Sequence, residues 1–272
     1  MTGSLGLVGG SGVLPLLVAR EARREGWRVI AVALGEPAGL STVADRVVSC
    51  RVGEVGPVLA ILAEEGIRHV VFAGRIRKDG LFHGAPLDGP ARDLLERTRD
   101  WTDDELFRTA AQALAGLGIE LLDQRRFLGA WLAPAGRIAG PAPDAAVETD
   151  IDRGVAVARD LARHGIGQTV VVRAGAVVAV EGLEGTDEAI RRGLCLAGPG
   201  ATVVKATSPI HDYRFDVPTV GAATVALCAE GRAAAVAVEA GRVLLLDRET
   251  VAATAERAGL SIVGAGGDVT PA

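Results

Sequence analysis

Lysine is nearly absent from this chain. Of its 29 basic residues only two, Lys78 and Lys205, are lysines; the other 27 are arginines. Such a bias is genomic first of all, because GC-rich codons favour Arg, Ala, Gly and Val, so the two lysines that resist it are worth following. Aromatics are as scarce, with three Trp, one Tyr and five Phe in 272 residues. The three cysteines, Cys50, Cys195 and Cys228, are far apart and form no CxxC pair, which counts against a zinc knuckle or disulfide framework and suits a reducing cytosol. Four histidines make no HxH or HExxH spacing, and Ser11 sits in no GxSxG elbow, so zinc and serine hydrolase chemistry are both disfavoured. A net charge of −5 without a basic stripe argues against nucleic acid as a partner. No uncharged apolar run reaches the roughly 18 residues that span a bilayer, and the start lacks the basic region of a signal peptide. The expectation is a soluble cytoplasmic protein.

What is present is an ordered globular composition, 49% hydrophobic and 23% charged. The first half alternates strand and helix signals. Leu5–Val8 reads as a short buried strand, Pro15 suits the first turn of a helix ending at Gly26, and Arg28–Leu34 is the next strand. Pro57–Glu65 and His69–Ala73 continue the rhythm, followed by a helix over Asp103–Leu114 and a strand near Ile119–Leu122. A β-α-β-α-β order implies a parallel sheet with right-handed crossovers. Ala133–Pro143, rich in Pro and Gly, reads as a linker. The expected fold class is therefore α/β, with a Rossmann-like parallel-sheet domain over 1–134 and a mixed α/β domain over 135–272. In the second half, Thr169–Arg173 and Val177–Glu181 form a candidate hairpin around Ala174-Gly175, and Thr186 or Asp187 is the candidate cap of the next helix.

Four places carry candidate chemistry. The turn Gly9-Gly10-Ser11-Gly12 between strand and helix suits an anion, although the third glycine of GxGxxG is missing; Glu36 falls roughly where a ribose-holding acid would, and the alternative is a plain tight turn. Arg75, Arg77 and Lys78 follow the third strand, at the edge where open α/β sheets bind ligands, or form a solvated loop. The densest cluster is Lys205 followed by His211, Asp212, Arg214 and Asp216, on a loop stiffened by Pro209 and Pro218. Its carboxylates can supply Mg²⁺ ligands or a general base, and its cations can neutralise phosphoryl oxygens; the bland reading is an exposed loop with local ion pairs. Last, Glu181-Gly182-Leu183-Glu184-Gly185-Thr186-Asp187 either faces the same cleft or caps a helix.

Taken together, Gly6 to Pro15, Ala73-Gly74-Arg75, Gly165 to Gln168, Val180 to Asp187, Lys205, Asp212 to Pro218, and Gly221 with Thr224 resemble the LpxI-type UDP-2,3-diacylglucosamine pyrophosphatases of lipid A biosynthesis. His211 stands where such proteins often have Gln, and Arg75 where they often have Lys. The resemblance implies a two-domain hydrolase that uses Mg²⁺ or another divalent cation to cleave the substrate's pyrophosphate to UMP and 2,3-diacylglucosamine 1-phosphate. It implies Asp216 as catalytic carboxylate with Lys205 and Arg214, and Asp216, Asp212 and Asp187 as metal ligands. Substrate contacts would fall to Gly9, Gly10, Ser11, Gly12, Arg75, Gly185, Thr186, Asp187, Thr219 and Thr224. It further implies a lipid-linked UDP-sugar substrate, transient contact with the inner-membrane surface, no nucleic acid, and a homodimer. Two rivals stay open: an NAD(P)-dependent oxidoreductase using the glycine turn, and a nucleotide-sugar sensor without catalysis.

Overall fold

The computed structural model describes residues 3–35, 39–76, 86–99 and 102–266. Contacts divide the chain into two units: Met1–Gly129 with Asp212–Asp216, and Ala130–His211 with Val217–Ala272. The segment with Asp212, Arg214 and Asp216 thus groups with the first unit, although its chain neighbours on both sides belong to the second.

In the first unit, strand β1 (Ser4–Gly9) leads through the glycine turn to helix α1 (Leu14–Arg24), then β2 (Arg28–Leu34), β3 (Arg46–Cys50), α2 (Val55–Glu64) and β4 (His69–Ala73). Helices α3 (Gly89–Glu96) and α4 (Asp103–Gly116) precede a short β5 (Glu120–Leu121) and α5 (Arg125–Leu128). The sheet order is β3-β2-β1-β4-β5 and every pair is parallel. Chain order reverses beside β1, which makes the β1–β4 edge the switch point of a doubly wound sheet. Leu5, Leu7, Val29 and Ile30 are wholly buried; side chains of this kind contribute roughly 1.5–3 kcal/mol each. Pro15 lies in the first turn of α1 and Gly26 ends it at φ +86°, as the sequence suggests. Strand β3, helix α3 and the short α5 are elements that the sequence reading does not include.

The second unit holds β6 (Gly136–Ala139), α6 (Ala145–Arg163), β7 (Thr169–Arg173), β8 (Ala176–Val180), α7 (Thr186–Ala197), β9 (Thr202–Lys205), β10 (Thr219–Val220), α8 (Ala222–Glu230), β11 (Ala235–Glu239), β12 (Leu244–Leu245), α9 (Arg248–Ala258) and β13 (Ser261–Ala265). Its main sheet runs β6-β13-β11-β9-β7-β8, parallel through β13, β11 and β9 and antiparallel at β6, β7 and β8. The predicted hairpin is present, its Ala174-Gly175 turn held by Asp150, which accepts from both backbone N–H groups at 2.9 and 2.6 Å. Within Ala133–Pro143, read as linker, residues 136–139 form an edge strand on β13. Helix α7 lies hard against its sheet: a Cβ on Gly193 would stand 2.5 Å from Val171 Cγ2.

Candidate functional site

The turn after β1 is stitched to the turn after β4. The Gly10 N–H donates to the Ala73 carbonyl at 2.9 Å, and the Ser11 and Arg75 backbones exchange two bonds, each 2.9 Å. Ser11 Oγ adds a third to the Arg75 carbonyl at 3.1 Å. Approach this close needs glycine: a Cβ on Gly10 would meet the Arg75 oxygen at 2.4 Å. The N–H groups of Gly10 and Ser11 are therefore committed to the protein's own backbone, while Gly12, at φ +98°, has open space where a side chain would stand. This places Gly9, Gly10, Ser11, Gly12 and Arg75 together at the carboxyl edge where such sheets take ligands. Glu36, Arg77 and Lys78 lie outside the described residues. A recess of about 440 Å³ opens nearby at the ends of β2 and β3, lined by Leu34, Cys50, Arg51 and Glu54.

The Asp212–Asp216 segment is held in this unit by its alternate residues. Gln124 N–H donates to the Tyr213 carbonyl at 3.2 Å, and the Arg125 guanidinium sits 3.8 Å from the centroid of the Tyr213 ring. Phe215 stacks on Phe107 with centroids 5.3 Å apart and planes inclined by 15°. Arg214 forks onto Asp212, its Nε 2.9 and 3.1 Å from the two carboxylate oxygens. Asp212, which accepts this fork, raises the guanidinium pKa further. Both members are partly exposed, and they form a local ion pair. Asp216 is exposed at the end of the segment.

In the second unit Lys205 ends β9 and is only 7% exposed. Its Nζ donates to Thr186 Oγ1 at 2.8 Å and to Thr169 Oγ1 at 3.5 Å, and lies 4.0 Å from Glu181 Oε2. Thr186 in turn donates to Glu181 Oε1 at 2.8 Å, and Gln168 N–H to Oε2 at 3.2 Å. Each hydroxyl thus relays the ammonium's donation to the carboxylate. Burial by itself would raise the Glu181 pKa; the Lys205 charge and the bonds from Thr169, Thr186 and Gln168 outweigh it and hold the carboxylate below its ordinary value. Thr186 is the first residue of α7 and Gly185, at φ +85°, its cap, so neither Thr186 nor Asp187 caps the helix as expected. Asp187 suits the positive end of α7 and accepts from Thr224 at 3.1 Å, linking the first turns of α7 and α8. Thr219 is apart from that pair and donates to its neighbour's carbonyl at Val217, 2.8 Å away.

Two acids matter here that the sequence does not single out. Glu181 stands in the sequence only as part of a turn. Glu239, 1% exposed at the end of β11, accepts from Thr207 N–H at 2.8 Å and from Arg159 at 2.9 and 2.7 Å, and pairs with Arg242 at 3.3 Å. It anchors the backbone two residues beyond Lys205. The signal for both was available: each is a lone acid closing an apolar strand, and a charge buried there requires partners.

Among the described residues no three His, Cys, Asp or Glu side chains converge to hold a metal ion. Of the three carboxylates assigned to a cation, Asp212 is engaged by Arg214. Mg²⁺ commonly uses one or two carboxylates together with substrate phosphates, so Asp187 and Asp216 have the chemistry such a cation needs. Cys228 offers nothing reactive, since burial and then the nearby Asp187 push its thiol up to about 12. No helix among the described residues is long and apolar enough to cross a membrane.

Comparison with known proteins covers both halves. Residues 4–131 match the LpxI N-terminal domain and residues 134–263 the LpxI C-terminal domain. A protein named UDP-2,3-diacylglucosamine pyrophosphatase LpxI, from Caulobacter vibrioides, is 33% identical over 275 residues, spanning 96% of each chain. Among solved structures, N5-carboxyaminoimidazole synthetase from Staphylococcus aureus aligns at a TM-score of 0.27 and 15% identity, covering 68% of this chain and 42% of that one. The ribonucleotide synthetase of similar name from Thermotoga maritima gives 0.25 and 13%, covering 66% and 41%. This chain spans less than half the length of either, and nothing further rests on them. With one family's two domains matched in order and a relative alike from end to end, the chain belongs to the LpxI family.

Proposed function

We propose that this protein hydrolyses the pyrophosphate of UDP-2,3-diacylglucosamine to UMP and 2,3-diacylglucosamine 1-phosphate. The observation that carries this reading is the relative of that name, matched over 96% of both chains. The chain's own residues suit the task. Hydrolysis of a phosphoanhydride adds water to one phosphorus, breaks the bridging P–O bond and leaves two phosphate ends, with one water proton to be taken up. What a protein supplies is positioning and fixed charge. Lys205 is such a charge, its ammonium oriented by two threonines and a carboxylate. Asp216 is assigned to receive the water proton, and Arg214, turned partly to solvent beside it in sequence, to meet phosphoryl oxygens.

A divalent cation belongs to this reading, with Asp216 as its candidate carboxylate together with the substrate's phosphates. It would polarise the phosphoryl oxygens. Gly12 and Arg75 are assigned to the nucleotide half, and the protein is read as cytoplasmic, visiting the inner-membrane face to meet an acylated substrate and working as a homodimer. Release of UMP from UDP-2,3-diacylglucosamine with Mg²⁺, and its arrest by EDTA, tests the activity and the cation together. A protein that binds the substrate but releases no UMP would be a sensor. Asp216→Ala is expected to keep the fold and substrate affinity while kcat falls by about 10²–10⁴, the span typical of a lost general base. A near-normal kcat removes Asp216 from that role.

A further inference from the structure

Four of the nine aromatic side chains of this aromatic-poor sequence, Phe72, Phe107, Tyr213 and Phe215, are engaged around one short segment. Two of them lie on the segment itself, and both alternate with the polar residues assigned to chemistry. Tyr213 is 4% exposed under the Arg125 guanidinium, which Asp123 in turn grips at 3.0 and 2.6 Å. Phe215 lies against Phe107 of α4, and Phe107 rests on Phe72 of β4 with centroids 6.0 Å apart. Residues 212–215 form a turn, closed by the Phe215 N–H donating to the Asp212 carbonyl at 3.2 Å, and the two rings pin that turn to the unit while the polar residues between and after them stay at the surface. Consistent with this, Arg214 and Asp216 are exposed where Tyr213 is buried and Phe215 half-buried.

We propose that Phe107 and Arg125 are positioning residues for Asp216: they clasp Phe215 and Tyr213 and so fix the segment that presents the carboxylate. The inference rests on the catalytic assignment of Asp216 made above. It gives an internal surface of the first unit a part in the reaction without any contact with substrate. It also explains why aromatics persist here, since flat rings and a guanidinium plane orient a turn where aliphatic contact would only bury it.

The chain contains one tyrosine, and it is Tyr213. Protein grown with 3-fluorotyrosine therefore carries a single ¹⁹F resonance that reports the segment directly. In Phe107→Leu, which keeps apolar volume but removes the ring plane, that resonance should move towards its position in unfolded protein. With it, kcat should fall about three- to tenfold, the equivalent of one aromatic pair, while KM stays within about twofold. Phe107→Tyr should restore both. Arg125→Gln, which leaves the apolar core untouched, should displace the same resonance and lower kcat, and so serves if Phe107→Leu fails to fold. An unmoved resonance and unchanged kcat in both variants overturn the proposal. So does a kcat loss not rescued by Phe107→Tyr, or a KM rise equal to the kcat loss. UMP release by the unaltered protein tests the function separately. If that holds while Asp216→Ala stays active, the positioning proposal falls and the proposed function stands.

Discussion

Among the described residues of the first unit the buried side chains are apolar apart from Thr109, Gln124 and the Tyr213 hydroxyl, and ion pairs such as Arg24–Glu21 and Arg51–Glu54 lie on the surface. In the second unit Asp150, Lys205 and Glu239 are 5%, 7% and 1% exposed, each supplied with partners. The first unit satisfies its ligand-edge turn with backbone, through the Ser11–Arg75 exchange; the second does so with charge. Two sheets of similar size are thus stabilised by different means. Hydrophobic burial is non-directional and tolerates exchange, whereas a buried charge is held only by particular partners at particular distances. Residues that cannot be swapped should therefore concentrate in the second unit and in the segment chain-linked to it.

The sharpest test is Lys205. Lys205→Ala leaves the partly buried Glu181 without its cation, and denaturant unfolding should show a loss of about 3 kcal/mol. Lys205→Arg keeps the charge but replaces a compact three-donor head by a planar fork, and kcat/KM should fall at least about tenfold. A silent Lys205→Arg would mean that any cation serves and would erase the contrast.

Glu181→Gln is next. It preserves shape while removing the charge that Lys205 faces, and should cost about 1–3 kcal/mol at neutral pH. Because the folded carboxylate titrates below its unfolded value of about 4.3, its contribution is complete above that pH and is lost as pH falls through the folded pKa. The melting-temperature gap between the two proteins should accordingly be widest at neutral pH and start to narrow only once pH falls below the unfolded value. A gap independent of pH would assign the loss to packing. The smallest effect is expected at the surface of the first unit, where Arg24→Ala removes the exposed pair with Glu21 at 2.7 Å and should leave the melting curve unchanged within error. A loss there as large as that of Glu181→Gln would break the comparison.

Much of this organisation is legible in the amino acids alone. The alternating strands of the first sheet stand out because parallel strands buried on both faces are written as continuous apolar runs, as at Arg28–Leu34 and His69–Ala73. Lys205 and the Asp212–Asp216 loop are visible as charge beside apolar strand and proline. The missed elements share one cause. Strand β6 is a four-residue edge strand, Gly-Arg-Ile-Ala, beside prolines, and Gly264 of β13 exists because a Cβ there would stand 1.8 Å from the Pro134 carbonyl; such pairing is tertiary and leaves no period. The partners of Glu239, Arg159 and Thr207, are distant in sequence, so its role is not legible there. That Tyr213 and Phe215 belong with the first unit could not be read from a loop whose neighbours on both sides do not.

Gly193 shows how narrow the tolerances are. It is two turns along α7 from Thr186, and its missing side chain lets the helix rest on Val171. In engineering terms it is a spacer of one hydrogen atom. A methyl group in its place would lift the helix from the sheet, and the lever arm runs along the axis to the hydroxyl that meets Lys205 at 2.8 Å. The dimension of a site built from one lysine, two threonines and a glutamate is therefore set, in part, by a residue that contributes no functional group at all.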